Sequence, residues 1–306
     1  MKKTLVLIAV AVPTGIAVGA VDAVFGRVLL YLGAVRDAHT AWFLPFLGLI
    51  GALMAWAYKR YGAGCENGMG MVFEAGHAER EAIPLRLVPF VICATWLTHL
   101  FGGSAGREGV AVQLAAAPEW SAELALELTA LGIVFGLTGA AFAFCLKRAK
   151  KLAQNRLKNP VLRALVMGVA LSAVLYLLYR GRYCGLGTNL INASLAGEPI
   201  YAWDWALKLA LTVLTLSAGF QGGEVTPLFS IGASLGAALA GLLGLPSAFC
   251  AALGYAAVFG SATNTLLAPA LIGAEVFGWA AAPHFFAVCT LSYAVNGGRS
   301  IYSGQK

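Results

Sequence analysis

The sequence predicts an all-α integral membrane protein built from two related halves, its helices interrupted by glycine-rich breaks. Three observations carry this. The 306-residue chain is 59% hydrophobic and only 11% charged, about half the charge of a soluble domain, and its mean hydropathy is +0.78. Its apolar stretches are long and continuous, unlike the alternating segments of a membrane barrel. Several are too short for a full crossing, which takes about 20 residues, and these gather around glycine motifs.

Taken in order, the apolar segments fall near 4–35, 42–58, 84–101, 125–147, 161–179, 203–219, 227–244, 247–260, 264–282 and 284–295. The opening "MKKTLVLIAVAVPTGIAVGA" has the look of a signal peptide. Its apolar character runs on through "VFGRVLLYLGAV", so a first membrane helix is expected instead. Basic residues collect at the amino terminus, at Lys59 and Arg60, and in "KRAKKLAQNRLK" at 147–158, read as a solvated loop. This positive-inside bias accounts for the net charge of +7 and leaves no basic face for nucleic acid. It places the amino terminus in the cytoplasm and "RDAHT" at 36–40 outside, with a bacterial inner (plasma) membrane as the expected location. The six cysteines are scattered, and His39, His77, His99 and His284 have no ligand partner at helical spacing. No metal or cofactor is expected. No nucleophile–base pair or metal cluster points to an enzyme.

The chain echoes itself. In "NGMGMVF" Met69 lies between Gly68 and Gly70, and in "CGLGTNL" Leu186 lies between Gly185 and Gly187. The offset that relates them also carries Gly106 of "GGSAGREGVAVQ" onto Gly223 of "GFQGGEVTPLF". A helical pair precedes each GxG, and one apolar helix separates it from its second motif. A duplication is expected, with a first repeat over 1–120 and a second over 121–306. The repeat is lopsided. Three apolar segments follow "GGEVTPLF", whereas only the acidic stretch "PEWSAELALEL" follows "GREGVAVQLAAA". Paired glycine-interrupted segments in two halves point to a transporter site.

Breaks inside membrane segments must line a cavity or be buried in protein, because lipid cannot satisfy the freed backbone groups. Each new helix start carries free N–H donors and partial positive charge. Several starts converging make an anion site without a full charge. The candidate starts are Met69, Glu108, Leu186 or Thr188, and Val225 or Thr226. Glu108, ionised, can occupy the anion position itself; protonated, it can swing away with a proton. A plain helix cap is the other reading. Arg107 either anchors the break through carbonyls or a nearby carboxylate, the favoured reading, or binds the anion. Glu224, in the repeat-related motif, is either a second proton carrier or a structural carboxylate.

The motifs "GREGVAVQ", "GGEVTPLFSIGASLG", "VFGSATNTLLAPALIGAEVFG" and "SIYSGQK" resemble the CLC anion transporter family. "NGMG" and "GGEVTP" are similar to its fluoride/proton antiporter subgroup, CLC-F. Chloride-handling members generally carry "GSGIP" and "GxFxP" at these places. The resemblance covers most of residues 40–306. It implies an inverted repeat with broken, re-entrant helices, usually a two-fold dimer with one pathway per subunit. It implies fluoride, or possibly chloride, exchanged for protons across a lipid bilayer.

Residue by residue, the resemblance makes Glu108 the gating glutamate and gives Glu224 and Thr226 the subgroup's acidic and threonine positions. Met69 takes its methionine, and Tyr302 the tyrosine near the inner end of the anion path. The expected anion-lining set is Gly68, Met69, Gly70, Arg107, Gly109, Val225, Thr226 and Tyr302, with Glu108 and Glu224 moving protons. Asn264, Thr265 and Glu275 fall in the late-helix motif in structural roles. Three features depart from the family. Val110 replaces the usual proline or threonine. "TNTLLAP" lacks a proline. The helices that close the first half, which carry part of the dimer contact, are missing. A monomer or an altered homodimer is therefore expected. A passive anion channel and a degenerate non-transporting relative stand as the alternatives to an exchanger.

Overall fold

The computed structural model describes residues 21, 23–29, 31–62, 87–103 and 118–302. Among these, helices and turns account for the architecture and no β-strand occurs. Residues 31–38 are helical and lead through the short turns Thr40–Phe43 and Leu44–Phe46 into α1 (Leu47–Tyr61). Then come α2 (Leu87–Leu100), α3 (Ala122–Arg156), α4 (Pro160–Leu177), α5 (Thr188–Ala196), α6 (Asp204–Ala218), α7 (Val225–Leu243), α8 (Ser247–Thr263), α9 (Leu267–Phe277) and α10 (Ala282–Val295). By length and apolarity, Thr40–Tyr61, α3, α4 and α7 can cross a membrane; α2, α8, α9 and the stretch Trp279–Val295 are apolar but shorter.

The helix α3 runs past the apolar segment expected near 125–147 at both ends. The acidic stretch 118–128 leads straight into it. Ser121 caps α3 by accepting a hydrogen bond from the Leu124 amide at 3.0 Å, and Glu123 sits in the first turn, where the helix dipole favours it. Leu124 and Leu128 are buried in the core. At the other end, the basic run is not a loop. It stays helical to Arg156, because Ala, Lys, Arg, Leu and Gln are all good helix formers. At 35 residues α3 is about 52 Å long, well beyond a hydrocarbon core of about 30 Å, so its charged end projects out of the membrane. Asn159 then caps α4, accepting from the Val161 amide at 3.0 Å, with Pro160 in the first turn, where no N–H is needed.

The main core lies around α7 and α8, walled by α3, α6, α9 and α10; a smaller one joins α1, α2 and α4 to residues 183–190. In lipid, helices are held by close approach of small residues and by interhelical hydrogen bonds. Both devices are present. A Cβ on Gly232 would strike the Gly254 carbonyl, and one on Gly236 the Cys250 carbonyl, so α7 and α8 touch backbone to backbone. On α3, the carbonyls of Gly132 and Gly136 accept from Ser292 Oγ of α10 at 2.9 Å and Ser261 Oγ of α8 at 2.7 Å.

Candidate functional site

The site begins where α6 stops. Gly219, at φ +101°, ends α6 in a left-handed cap, and residues 220–224 turn the chain into α7. Glu224 is the residue before α7, and its carbonyl accepts the Leu228 amide at 3.0 Å. Of the two expected starts, Val225 is the first helical residue. Val225 and Thr226 have no intrahelical acceptor for their N–H groups, and Pro227 brings none. The amino end of α7 thus presents donors and partial positive charge beside a carboxylate. Lys150, on the basic end of α3, is the cation that acts on Glu224.

Thr226 adds one more donor. Its side chain is fully buried, and its Oγ1 has no hydrogen-bond partner. One turn along the same face, Ser230 Oγ is also buried without a partner. Leaving a buried hydroxyl unpaired costs about 1–3 kcal/mol. Such groups in a native fold call for an explanation, and a bound ion is one.

The second start lies close by. Thr188, not Leu186, opens α5, with Gly187 before it at φ +81° and Gly185 at φ +61°. Both glycines are needed: a Cβ on Gly187 would meet Ser230 Oγ at 2.5 Å, and one on Gly185 would strike the Arg36 guanidinium. Lys208 of α6, fully buried, donates to the carbonyls of Gly185 at 2.6 Å and Tyr183 at 3.2 Å. Asp204, four residues earlier and also fully buried, is saturated by Arg182, the Tyr183 hydroxyl and the Tyr201 amide. Its hydrogen bond pushes the Arg182 guanidinium above its usual range. The Gly185 amide donates to the Gly103 carbonyl at 3.2 Å, which ties this break to the start of the first-half motif.

The end of the chain is pinned to a third break. Asn264, at φ +55°, caps α8, and its Oδ1 accepts from Asn296 Nδ2 at 3.1 Å. The Ile301 amide donates to the Ala262 carbonyl at 2.9 Å, and Ser300 Oγ to that of Thr263 at 3.2 Å. Thr265 Oγ1 lies 2.7 Å from Thr263 Oγ1. Half-buried Tyr302 follows directly, its amide 3.1 Å from Ser300 Oγ. Glu275 is exposed on α9.

Of the expected site residues, the structure thus places Glu224, Val225, Thr226 and Tyr302. Gly68, Met69, Gly70, Arg107, Glu108 and Gly109 lie outside the described residues. Sequence reasoning passed over Asp204, Lys208 and Ser230. A signal existed for the first two: an acid and a base inside an otherwise apolar segment mark polar work in a membrane.

A buried helix start with unpaired donors, set among close-packed broken helices, defines a membrane protein of the ion-handling class. The sequence profile described as "Voltage gated chloride channel" matches residues 50–119 and 117–297. The chain belongs to this family, whose members are integral membrane transporters and channels rather than enzymes. It is 38% identical to a CLC-type fluoride/proton antiporter of known crystal structure, with a TM-score of 0.98, covering 100% of this chain and 99% of that one. A slow cyanobacterial Cl−/H+ antiporter shares the fold at a TM-score of 0.77 and 15% identity, covering 97% and 95% of the two chains. A "Chloride/fluoride channel protein" of Pseudomonas syringae pv. tomato (strain ATCC BAA-871 / DC3000) is 30% identical over 381 residues, 94% of this chain and 83% of that protein. That aligned stretch is longer than this chain, so the Pseudomonas protein carries residues that this one lacks.

Proposed function

We propose that the protein is a secondary transporter that exports fluoride in exchange for protons. The observation that carries this is the Thr226 hydroxyl, fully buried and unpartnered at the amino end of α7, next to Glu224. Fluoride is small and holds its water tightly, so a site for it needs donors that replace that water. The hydroxyl and the N–H groups of Val225 and Thr226 are such donors. The likeness to the fluoride/proton antiporter supports the substrate, as does the resemblance of "NGMG" and "GGEVTP" to that subgroup's motifs.

In this reading Glu108 and Glu224 carry protons. Glu108 competes with fluoride for the helix starts when ionised and vacates them when protonated, which couples the two fluxes. Gly68, Met69, Gly70, Arg107, Gly109 and Tyr302 complete the path. The two halves, 1–120 and 121–306, meet at it as an inverted repeat. The basic ends of α1 and α3 face the cytoplasm, in a bacterial inner membrane, with the amino terminus on the same side.

The test is fluoride and proton flux from purified protein in liposomes, wild type against Glu108→Gln. The wild type should accumulate fluoride against its gradient when driven by protons, and the variant should not, because an amide cannot release a proton. Proton-driven accumulation at the wild-type rate in the variant would remove Glu108 from the mechanism. A passive anion channel is the second reading, favoured by the likeness to the Pseudomonas "Chloride/fluoride channel protein". Fluoride flux that never moves against a gradient would select it.

A further inference from the structure

Away from the α7 start, the helical residues 31–38, the 179–187 turn and the amino end of α5 enclose a cavity of about 530 Å³. Among the described residues, its wall carries Arg36, Arg180 and Arg182, with Asp37 as the one carboxylate. Arg36 is buried, held by Asp37 and by the His99 carbonyl at 3.3 Å. Arg182 is balanced by Asp204. Arg180 is exposed at the cavity rim and adds its charge to the wall.

Lys208 stands just behind this wall, with its Cε 2.8 Å from where a Gly187 Cβ would be. At the same point Ser230 Oγ, buried and unpartnered, stands against Gly187. The free amides at the start of α5 open beside it, with Thr188 and Asn189 in the lining. Tyr179 and Arg180 both hold left-handed backbones, at φ +54° and +50°. For a tyrosine that is a strained geometry, and it sets Arg180 at the rim. Strain of this kind persists only where the surroundings impose it.

We propose that this cavity is a capture site for a small inorganic anion of the halide class, separate from the Thr226 start. Among the described residues cations outnumber carboxylates around it, and low-dielectric walls focus such a field and raise the local anion concentration. The volume holds roughly eighteen waters, so an anion enters with its hydration shell intact and is stripped only later. The cavity is lined from residues 33–40, ahead of α1, and from 179–189, beyond α4. The basic residues of α1 and of the run ahead of α4 lie at the opposite ends of these helices. The proposal rests on the transporter reading for its role, but not for its existence.

The test has two arms. In liposomes, Arg180→Gln should raise the half-saturating fluoride concentration three- to tenfold and flatten its dependence on ionic strength, with the maximal rate kept. Arg180→Lys should restore most of the loss. An unchanged half-saturation and salt dependence in Arg180→Gln would overturn the proposal while leaving fluoride transport standing. Independently, crystals of the intact protein soaked in bromide should show anomalous density between Arg36, Arg180 and the amino end of α5, weakened in Arg180→Gln. Absence of bromide there, or a phospholipid headgroup in its place, would overturn the proposal. If the wild type carries no fluoride at all, the transporter reading fails, and the bromide arm still decides the site.

Discussion

Replacing Thr226 by valine separates stability from function in a way that few substitutions can. Valine has the same branched shape, so the packing of the first turn of α7 is kept. What is lost is a hydroxyl that is fully buried and has no partner. Its burial costs about 1–3 kcal/mol that an apolar group would not. Thr226→Val should therefore be no less stable than the wild type, and its melting temperature in detergent should stay level or rise by roughly 2–4 °C for each kcal/mol recovered. Function should move the other way. A hydrogen bond to a charged group contributes about 1.5–3 kcal/mol, which is on the order of ten- to a hundredfold in fluoride affinity. The assay is fluoride flux from liposomes against fluoride concentration, beside a thermal melt of the same preparation. Thr226→Ser should retain most of the flux. A valine variant that melts several degrees lower would mean that the hydroxyl has a protein partner. One that transports fluoride at the wild-type half-saturation would mean that it has no anion partner. Either result refutes the reasoning.

The remaining predictions concern the rest of the path and its assembly. Glu224→Gln should leave some anion movement but loosen its coupling to protons; fluoride and proton fluxes that stay locked together would make Glu224 structural. Met69→Ser should lower the preference for fluoride over chloride, because a hydroxyl suits a larger, more easily dehydrated anion. An unchanged flux ratio would remove Met69 from selectivity. With its first half shortened, the protein should run as a monomer or as a dimer unlike the family's two-fold one. Mass measurement in mild detergent, with crosslinks on residues 264–282, checks this, and a stable dimer joined through that segment in the family's manner would contradict it.

How much could be read from the sequence depended on the kind of signal. Helix breaks were legible because glycine is required where the backbone turns left-handed. Gly185, Gly187 and Gly219 all do so, and the repeat drew attention to the GxG pair. The carboxyl end of α3 was misread because charge was taken as loop. The residues of "KRAKKLAQNR" favour helix, and nothing after Leu146 breaks one until Leu157. Contacts that join distant segments were out of reach. Lys208 reaches the Gly185 carbonyl across 23 residues and Asn296 reaches Asn264 across 32, and no local pattern announces such pairs. Ser230 was hidden for another reason: a serine in an apolar helix normally bonds its own backbone, as Ser234 does to the Ser230 carbonyl at 2.6 Å. Only the fold reveals that Ser230 does not.

The shortened first half raises the question of what fixes the α7 start in place. The described contacts give a local answer. Gly232 and Gly236 lock α7 onto α8. Ser261 locks α8 onto α3, and Ser292 locks α10 onto α3. The Ala262 and Thr263 carbonyls hold the segment that leads to Tyr302. Every one of these contacts lies within residues 121–302. The first half meets this frame through the Gly103–Gly185 hydrogen bond and through the packing of Gly48 against Gly168. The closing helices that this chain lacks have no part in any of them. The opposite face of α3, with Leu126 74% and Leu137 53% exposed, is apolar and suited to lipid. The described contacts that fix the amino end of α7 and the Thr226 hydroxyl are therefore all made by this chain's own residues. On the proposed reading, anion binding at α7 should therefore survive a change of assembly, which flux measured on the detergent-sized species would check.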